Sequence, residues 1–504
     1  MALAIGLAVA LGTNGATAGP HGTTSKNASR ATSAIPKHAL RLTVGAPLKV
    51  HPIRPGFLGL SIEYPAIEQY AGTDPSTVNP ILVQLIRNLT PNQSPVLRIG
   101  GDSTDWEWWP VPNMRKPGGV RYTLTPTWIA VTRALIEQLN ARLILGLDLE
   151  ANSLSLAKAE ANAFTNGLGR ARVEALEPGN EPELYASFAW YRTADGRRVT
   201  GRAPDWNINT YEREVAGLRR ALRPTPIAGP ATGGPKWTSE LPQFLAATPY
   251  LKLLTLHRYP LQLCYTPPSK PDYPTIAHLL SPLASRGLAA GIERYIRLAH
   301  AHGIPTRIDE MNTNSCGSAP RVTKTFASAL WATDALFAMA GAGADGVNIH
   351  TYDGASYELF TFDHTRNGWS ARVEPEYYGL YLFALAAPPG SRLLRVSGPA
   401  TNAVSAWATS APDGHLRITL INDNQSHSRT VAIHAPGKSA TATLLRMTAP
   451  GARSRGGVII GGLTFGARTT TGRPAGTQRR YAVAPTNGEY VIKVPAASAA
   501  LLIR

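Results

Sequence analysis

The chain has 504 residues, 43% hydrophobic and only 16% charged, with 46 glycines and 41 prolines. That balance describes a globular protein with room for one large domain and a smaller one, and it excludes a disordered or coiled-coil chain. The formal net charge is +17, but the basic residues are spread thinly. No helix-turn-helix, zinc-finger or RNA-binding pattern accompanies them, so nucleic acid is not an expected partner.

The first 18 residues, apolar and ending in small side chains, read as a secretory signal, which makes the expected location secreted or periplasmic. Residues 19–40 are polar and rich in small residues, a composition that predicts a disordered lead-in. Residues 41–55, within "LRLTVGAPLKVHP", read as strands outside the main domain. From 56 to 388, short β-rich runs alternate with helical patterns. The strands are "FLGLSIEY", "SPVLRIGG", "ARLILGLDLE", "RVEALEPGNE", "TPIAGPAT", "LKLLTLHRY", "IPTRIDEMN" and "ADGVNIHTY". Among the helices, "NTYEREVAGLRRAL" places Tyr211, Val215, Leu218 and Leu222 on one face. Eight strand–helix pairs predict an α/β chain with a (β/α)8 TIM barrel. A doubly wound sheet is disfavoured, because no G-x-G-x-x-G follows the first strand. Residues 389–504 change to short alternating strands, from "AVSAWATS" to "ASAALLIR", and predict an all-β sandwich that the 41–55 segment joins. No later apolar stretch reaches the ~18–20 residues of a membrane span.

In such a barrel the active site lies at the C-terminal ends of the strands. The residues closing the predicted strands are Glu63-Tyr64, Gly100-Gly101-Asp102, Asp148 with Glu150, Asn180-Glu181, His257-Arg258-Tyr259, Asp309-Glu310 and His350-Thr351-Tyr352. A ring of ionisable groups at one mouth suits a polar ligand and is costly to stability otherwise. Glu181 closes the fourth strand and Glu310 the seventh, on opposite sides of the mouth. Glycoside cleavage needs that pair: one carboxylic acid protonates the leaving oxygen while the other carboxylate attacks or activates water. Asn180, beside Glu181, is placed to hold a sugar 2-OH.

Asn-Glu after the fourth strand and Glu after the seventh resemble the clan A retaining glycoside hydrolases. Within that clan, "FLGLSIEY", "VLRIGGDSTDW", "LEPGNEPELY", "LTLHRYP", "IDEMNTNSCGS", "HTYDGASY" and "YYGLYLFA" resemble glycoside hydrolase family 79, which holds β-glucuronidases and heparanase-like enzymes. The likeness runs through nearly all of the chain after residue 40. It implies Glu181 as acid/base, Glu310 as nucleophile and Asn180 at the 2-OH. Glu63 and Asp102 stand where family members bind sugar hydroxyls, although heparanase-like members have Asp and Thr there. Gly317 and Tyr357 match positions that hold a uronic carboxylate, and His257, Tyr259, His350 and Tyr352 complete the pocket. The implied substrate is a glucuronic-acid-containing glycoside or polysaccharide, with no metal or organic cofactor. Cys264 and Cys316 follow strands six and seven, whose loops are neighbours, so a disulfide steadying the Glu310 loop is expected.

Other readings stand beside these. Glu181 and Glu310 could form buried ion pairs with Arg98 or Arg307, and His257 and His350 could be satisfied core histidines. Trp106, Trp108 and Trp109 in "DWEWWP" could stack on a sugar or plug a loop. At the level of function, the alternatives are a clan A glycosidase for a neutral sugar and a non-catalytic binder of acidic polysaccharide.

Overall fold

The computed structural model describes residues 35–399, 404–437 and 440–504. The segment read as a signal, residues 1–18, and the lead-in up to residue 34 lie outside the described residues.

Eight parallel strands form the larger part: β1 (Leu58–Ile62), β2 (Val96–Ile99), β3 (Arg142–Leu147), β4 (Val173–Pro178), β5 (Ala228–Thr232), β6 (Leu253–Arg258), β7 (Thr306–Met311) and β8 (Gly346–Thr351). They pair in the order β5-β6-β7-β8-β1-β2-β3-β4. A bridge between Leu176 and Ile227, with the Leu176 amide donating to the Pro226 carbonyl at 2.9 Å, joins β4 to β5 and closes the ring. The strands read as near-continuous apolar runs because helices cover the outer face and side chains fill the interior. The four-residue β2, for instance, is buried throughout. The helix Ile208–Leu222 begins where the Asn207 side chain accepts from the amides of Asn209 and Thr210, and it buries Tyr211, Val215, Leu218 and Leu222.

The β-rich part is a twelve-stranded sheet folded around its own core of Leu42, Ile418, Ile433 and Tyr490, among others. Its first strand, Leu40–Pro47, runs parallel to Arg429–His434 and antiparallel to Arg392–Ser397, so both ends of the chain build one unit. Leu40 already belongs to that strand, one residue inside the stretch read as lead-in, and residues 48–55 form no strand. Leu48 and Ile53 there donate single backbone hydrogen bonds to Leu393 and Ser391 as the chain crosses to the barrel. The two parts meet where Trp407 stacks on Phe337 and donates to Asp334 at 2.6 Å. The hairpin Phe360–Thr365/Gly368–Val373, which the sequence reading did not anticipate, follows β8. Among the described residues no helix is long and apolar enough to cross a membrane.

Candidate active site

Glu181 and Glu310 come together at the mouth of the barrel. Glu310 lies inside β7 and is 7% exposed, whereas the Glu181 side chain, on the turn after β4, keeps 27% of its surface open. The turn is a tight one. Gly179 and Glu181 both take the left-handed conformation, with φ of 82° and 45°, and Pro182 then opens a short 3₁₀ turn. A left-handed glutamate is strained. It is held by its amide, which donates to the carbonyl of Ala231 in β5 at 3.0 Å.

His257 at the end of β6 stands between the two acids. Its Nδ1 is 3.0 Å from Glu181 Oε1 and 4.0 Å from Glu310 Oε1. One oxygen of Glu181, one of Glu310 and one nitrogen of His257 all lie within 4.8 Å of one another. Burial opposes the imidazolium, but the charge of Glu310 and the bond to Glu181 outweigh it and push His257 up to about 9.

Glu310 is held on both oxygens. The Tyr259 hydroxyl donates to Oε1 at 2.7 Å and Arg98 donates to Oε2 at 2.5 Å. His350 Nδ1 lies 3.9 Å from Oε2. Burial alone would raise its pKa; the positive charges of His350, His257 and Arg98 and the Tyr259 hydroxyl prevail and keep it well below the usual carboxylate range. The carboxylate is therefore ionised.

Below this lies a network centred on Arg98, a fully buried guanidinium in β2. Its Nε sits 2.8 Å from Glu177 of β4 and 3.1 Å from Asp309 of β7, and Nη2 donates to Asn180 Oδ1 at 2.9 Å. Desolvation and the neighbouring Glu177 charge raise Asp309 far above its ordinary value, while Arg98 holds Glu177 below its own. Of the two acids, Asp309 is thus the one biased toward its neutral form and Glu177 the one biased toward its anion. The sequence reading weighed an Arg98 pair as an alternative to a catalytic Glu310; the structure has Arg98 under the carboxylate while Glu310 still faces its partner acid. Arg307 takes no part, bonding Asn348 and the Gly56 carbonyl instead. Glu177 was missed by the sequence reading. The signal for the network was Arg98 itself, a charge inside an apolar strand, which must be paired to be buried.

The other expected residues divide. Tyr259, His350, Tyr352 and Tyr357 form one ring cluster, with centroids 5.6–6.1 Å apart along the chain of contacts. His350 also bonds Ser61 at 3.0 Å. Glu63 is at the mouth, but its carboxylate accepts from the Asp102 amide at 3.1 Å, the Ser103 amide at 2.8 Å and the Ser103 hydroxyl, and it faces His350 Nε2 at 3.3 Å. Those bonds fix the turn after β2. Gly101 in that turn leaves no room for a side chain: a Cβ would stand 2.4 Å from Glu63 Oε1. Asp102 keeps a face open to the cavity, yet the surrounding wall and the charges of Glu63, Glu181 and Glu310 push it up to about 7. Gly317 is exposed, and its carbonyl accepts from the Asn314 side chain at 2.8 Å. Cys264 and Cys316 are joined by a disulfide, with Cα atoms 5.6 Å apart, which ties the loops after β6 and β7.

Asp148 and Glu150 lie within electrostatic reach of Asp105, whose carboxylate accepts from the amides of Leu149, Glu150 and Asn180 and from the Tyr185 hydroxyl. Asp105, absent from the sequence reading, therefore anchors the turn that carries Asn180 and Glu181. Trp108 is buried in a cluster with Val120, Leu156 and Trp190, and Trp106 lies under the Arg121 guanidinium, so this loop packs on itself. Glu181, His257 and Glu310 have the spacing of a three-ligand cation site, but a cation there would have to break the His257–Glu181 bond.

Comparison with known proteins follows the same lines. Residues 406–501 match the glycosyl hydrolase family 79 C-terminal beta domain. The fold is similar to that of a 4-O-α-L-rhamnosyl-β-D-glucuronidase from Fusarium oxysporum 12S, solved with Rha-GlcA, at 18% identity and TM-score 0.73, covering 92% of this chain and 100% of that one. It is also similar to a family 51 arabinofuranosidase from Xanthomonas axonopodis pv. citri, at 15% identity and TM-score 0.65 over 92% and 99% of the two chains. A family 30 xylanase C catalytic domain from Talaromyces cellulolyticus follows at 12% identity and TM-score 0.54, again over 92% and 99%. Comparison with curated protein sequences gives no match. The chain is a (β/α)8 barrel joined to a β-rich domain, and residues 406–501 of that domain match the glycosyl hydrolase family 79 C-terminal beta domain.

Proposed function

We propose that this protein is a retaining β-glycosidase that hydrolyses glucuronides, with Glu310 as nucleophile and Glu181 as acid/base. The observation that carries it is the carboxylate pair: oxygens within 4.8 Å of each other suit direct attack at about 5–5.5 Å between carboxyl groups, and leave no room for the water of an inverting site at about 6.5–9.5 Å. The family 79 domain and the likeness to a rhamnosyl-glucuronidase support the glucuronide.

In the first step Glu310 Oε attacks the anomeric carbon while the Glu181 carboxyl gives its proton to the departing glycosidic oxygen. The C–O bond breaks and a glycosyl ester forms. In the second, Glu181, now a carboxylate, takes a proton from water as that water displaces Glu310, restoring both groups. Arg98 and Tyr259 keep Glu310 anionic and oriented. Arg98 also fixes the Asn180 amide by its oxygen, leaving Nδ2 to donate to the 2-OH, a bond that strengthens in the transition state. Tyr352 and Tyr357 offer phenol donors on the side where a uronic carboxylate would lie. The Cys264–Cys316 disulfide suits an oxidising compartment, which supports a location outside the cytoplasm.

Hydrolysis of 4-nitrophenyl β-glucuronide against the matching glucoside, with the anomer of the first product read by NMR, tests this. Preference for the glucuronide with a β product is expected. A glucoside preference would replace the substrate, and an α product would remove the retaining mechanism.

A further inference from the structure

The net charge is not shared evenly. Residues 390–504 hold fourteen Lys and Arg against three Asp and Glu, a net of +11 out of +17 for the whole chain. Two of the three acids are already taken up by arginines outside the patch described below. Asp413 is paired with Arg417 at 2.5 Å, Glu489 with Arg41 at 2.7 Å, and Asp423 faces the barrel within electrostatic reach of Asp334 and Arg286.

Part of the excess is gathered at one place. Tyr481 opens the strand Tyr481–Val483, which pairs with Ala442–Leu444, and it is 49% exposed. Just before it come Gln478, Arg479 and Arg480, all exposed, with the Gln478 side chain oxygen able to accept from the Arg480 guanidinium at 3.0 Å. The Arg479 amide donates to Gly461, whose own amide donates to the Arg446 carbonyl, so Arg446 lies one strand away. The Arg446 guanidinium in turn donates to the carbonyl of Lys493 at 2.8 Å, bringing that ammonium-bearing residue alongside. An open aromatic face set among cations is a surface on which a pyranose ring can stack while its carboxylate is neutralised.

We propose that Arg446, Arg479, Arg480, Tyr481 and Lys493 form a non-catalytic binding site for a uronic-acid polysaccharide. This rests on the glucuronide reading of the active site for its choice of polyanion. Holding the polymer at a second point on the same chain raises the effective concentration of its sugar units at the barrel mouth.

The full-length protein is assayed for binding to soluble polygalacturonate, with dextran and duplex DNA as comparators, across a salt series. Binding to polygalacturonate that weakens with salt is expected, and none to dextran. The variant R446Q/R479Q/R480Q/K493Q is expected to bind about 10–100-fold more weakly with a shallower salt slope. Tyr481→Ala should weaken binding with the slope unchanged. Turnover of 4-nitrophenyl β-glucuronide should stay at the wild-type level in both. If the quadruple variant misfolds, R479Q/R480Q, on exposed residues alone, takes its place. Unchanged binding in these variants would overturn the proposal, as would DNA binding at least as tight as polygalacturonate with Tyr481→Ala silent. Absence of glucuronide turnover in the wild type would instead strike the catalytic reading, since the binding measurements do not depend on it.

Discussion

His257 Nδ1 lies 3.0 Å from Glu181 Oε1, so the imidazole at the end of β6 is in direct contact with the proposed acid/base while remaining within 4.0 Å of Glu310. A single buried cation thus senses both carboxylates. Its raised pKa of about 9, against an ordinary 6.5, gives a stability contribution with a definite sign. The contribution is fully present below about pH 6.5 and is lost as pH rises through about 9. Urea unfolding at stepped pH should show stability falling across that window by on the order of 2–3 kcal/mol. In His257→Gln that part of the slope should vanish; a slope unchanged in the variant would assign it to other groups.

Glu310 behaves in the opposite sense. Its folded-state pKa is depressed, so its contribution is present above the unfolded carboxylate value and is lost only as pH falls through the depressed one. The nucleophile should therefore be ionised throughout the working range, and the acid limb of kcat/KM should not be its titration. Glu310→Gln should lower kcat by at least about 10³-fold while a glucuronide ligand still binds in calorimetry. Persistent hydrolysis would reassign the nucleophile.

Glu181→Ala separates the acid role from the base role. With a poor leaving group, hydrolysis should slow by about 10²–10⁴-fold, because protonation of the departing oxygen is lost. With a 4-nitrophenyl leaving group the first step needs little help, and azide should restore turnover by attacking the glycosyl ester without a base. Equal losses on both substrates would contradict the assignment.

Tyr259 donates to the oxygen of Glu310 opposite the one that Arg98 holds. A hydrogen bond to a charged group is worth about 1.5–3 kcal/mol, so Tyr259→Phe should cost roughly tenfold to a hundredfold in kcat with little change in melting temperature. A large fall in Tm with normal kcat would make the hydroxyl a packing group instead.

The Cys264–Cys316 bridge closes a separation of 52 residues. The chain-entropy relation gives about 4 kcal/mol for such a loop. The Cys264→Ser/Cys316→Ser protein should melt several degrees lower and be cleaved by protease in the loops after β6 or β7. Unaltered melting would mean the loops are ordered without it.

Much of this was legible in the sequence. The eight barrel strands and the sandwich strands were marked by apolar runs between turn residues, since burial on both faces leaves few polar positions to confuse the period. That Glu181 and Glu310 meet at the mouth was legible because a strand end in a barrel fixes where its side chain points. What the sequence did not resolve was the direction of each remaining polar group. Glu63 read as a sugar contact, and the structure adds that it binds the amides of Asp102 and Ser103, which the sequence does not show. Asp148 and Glu150 read as part of the mouth ring, and the sequence did not show that the buried Asp105 carboxylate would lie beside them. The hairpin after β8 escaped because its strands, half of them exposed, lack an apolar run.

The sequence by itself determined the order of elements and the residues at strand ends, because both follow from local periodicity and turn chemistry. Only the tertiary structure decided which acids are charged. Arg98, Glu177, Asp309, His257 and Glu310 come from four different strands, and each one's protonation depends on the distances to the others in a space without water to screen them.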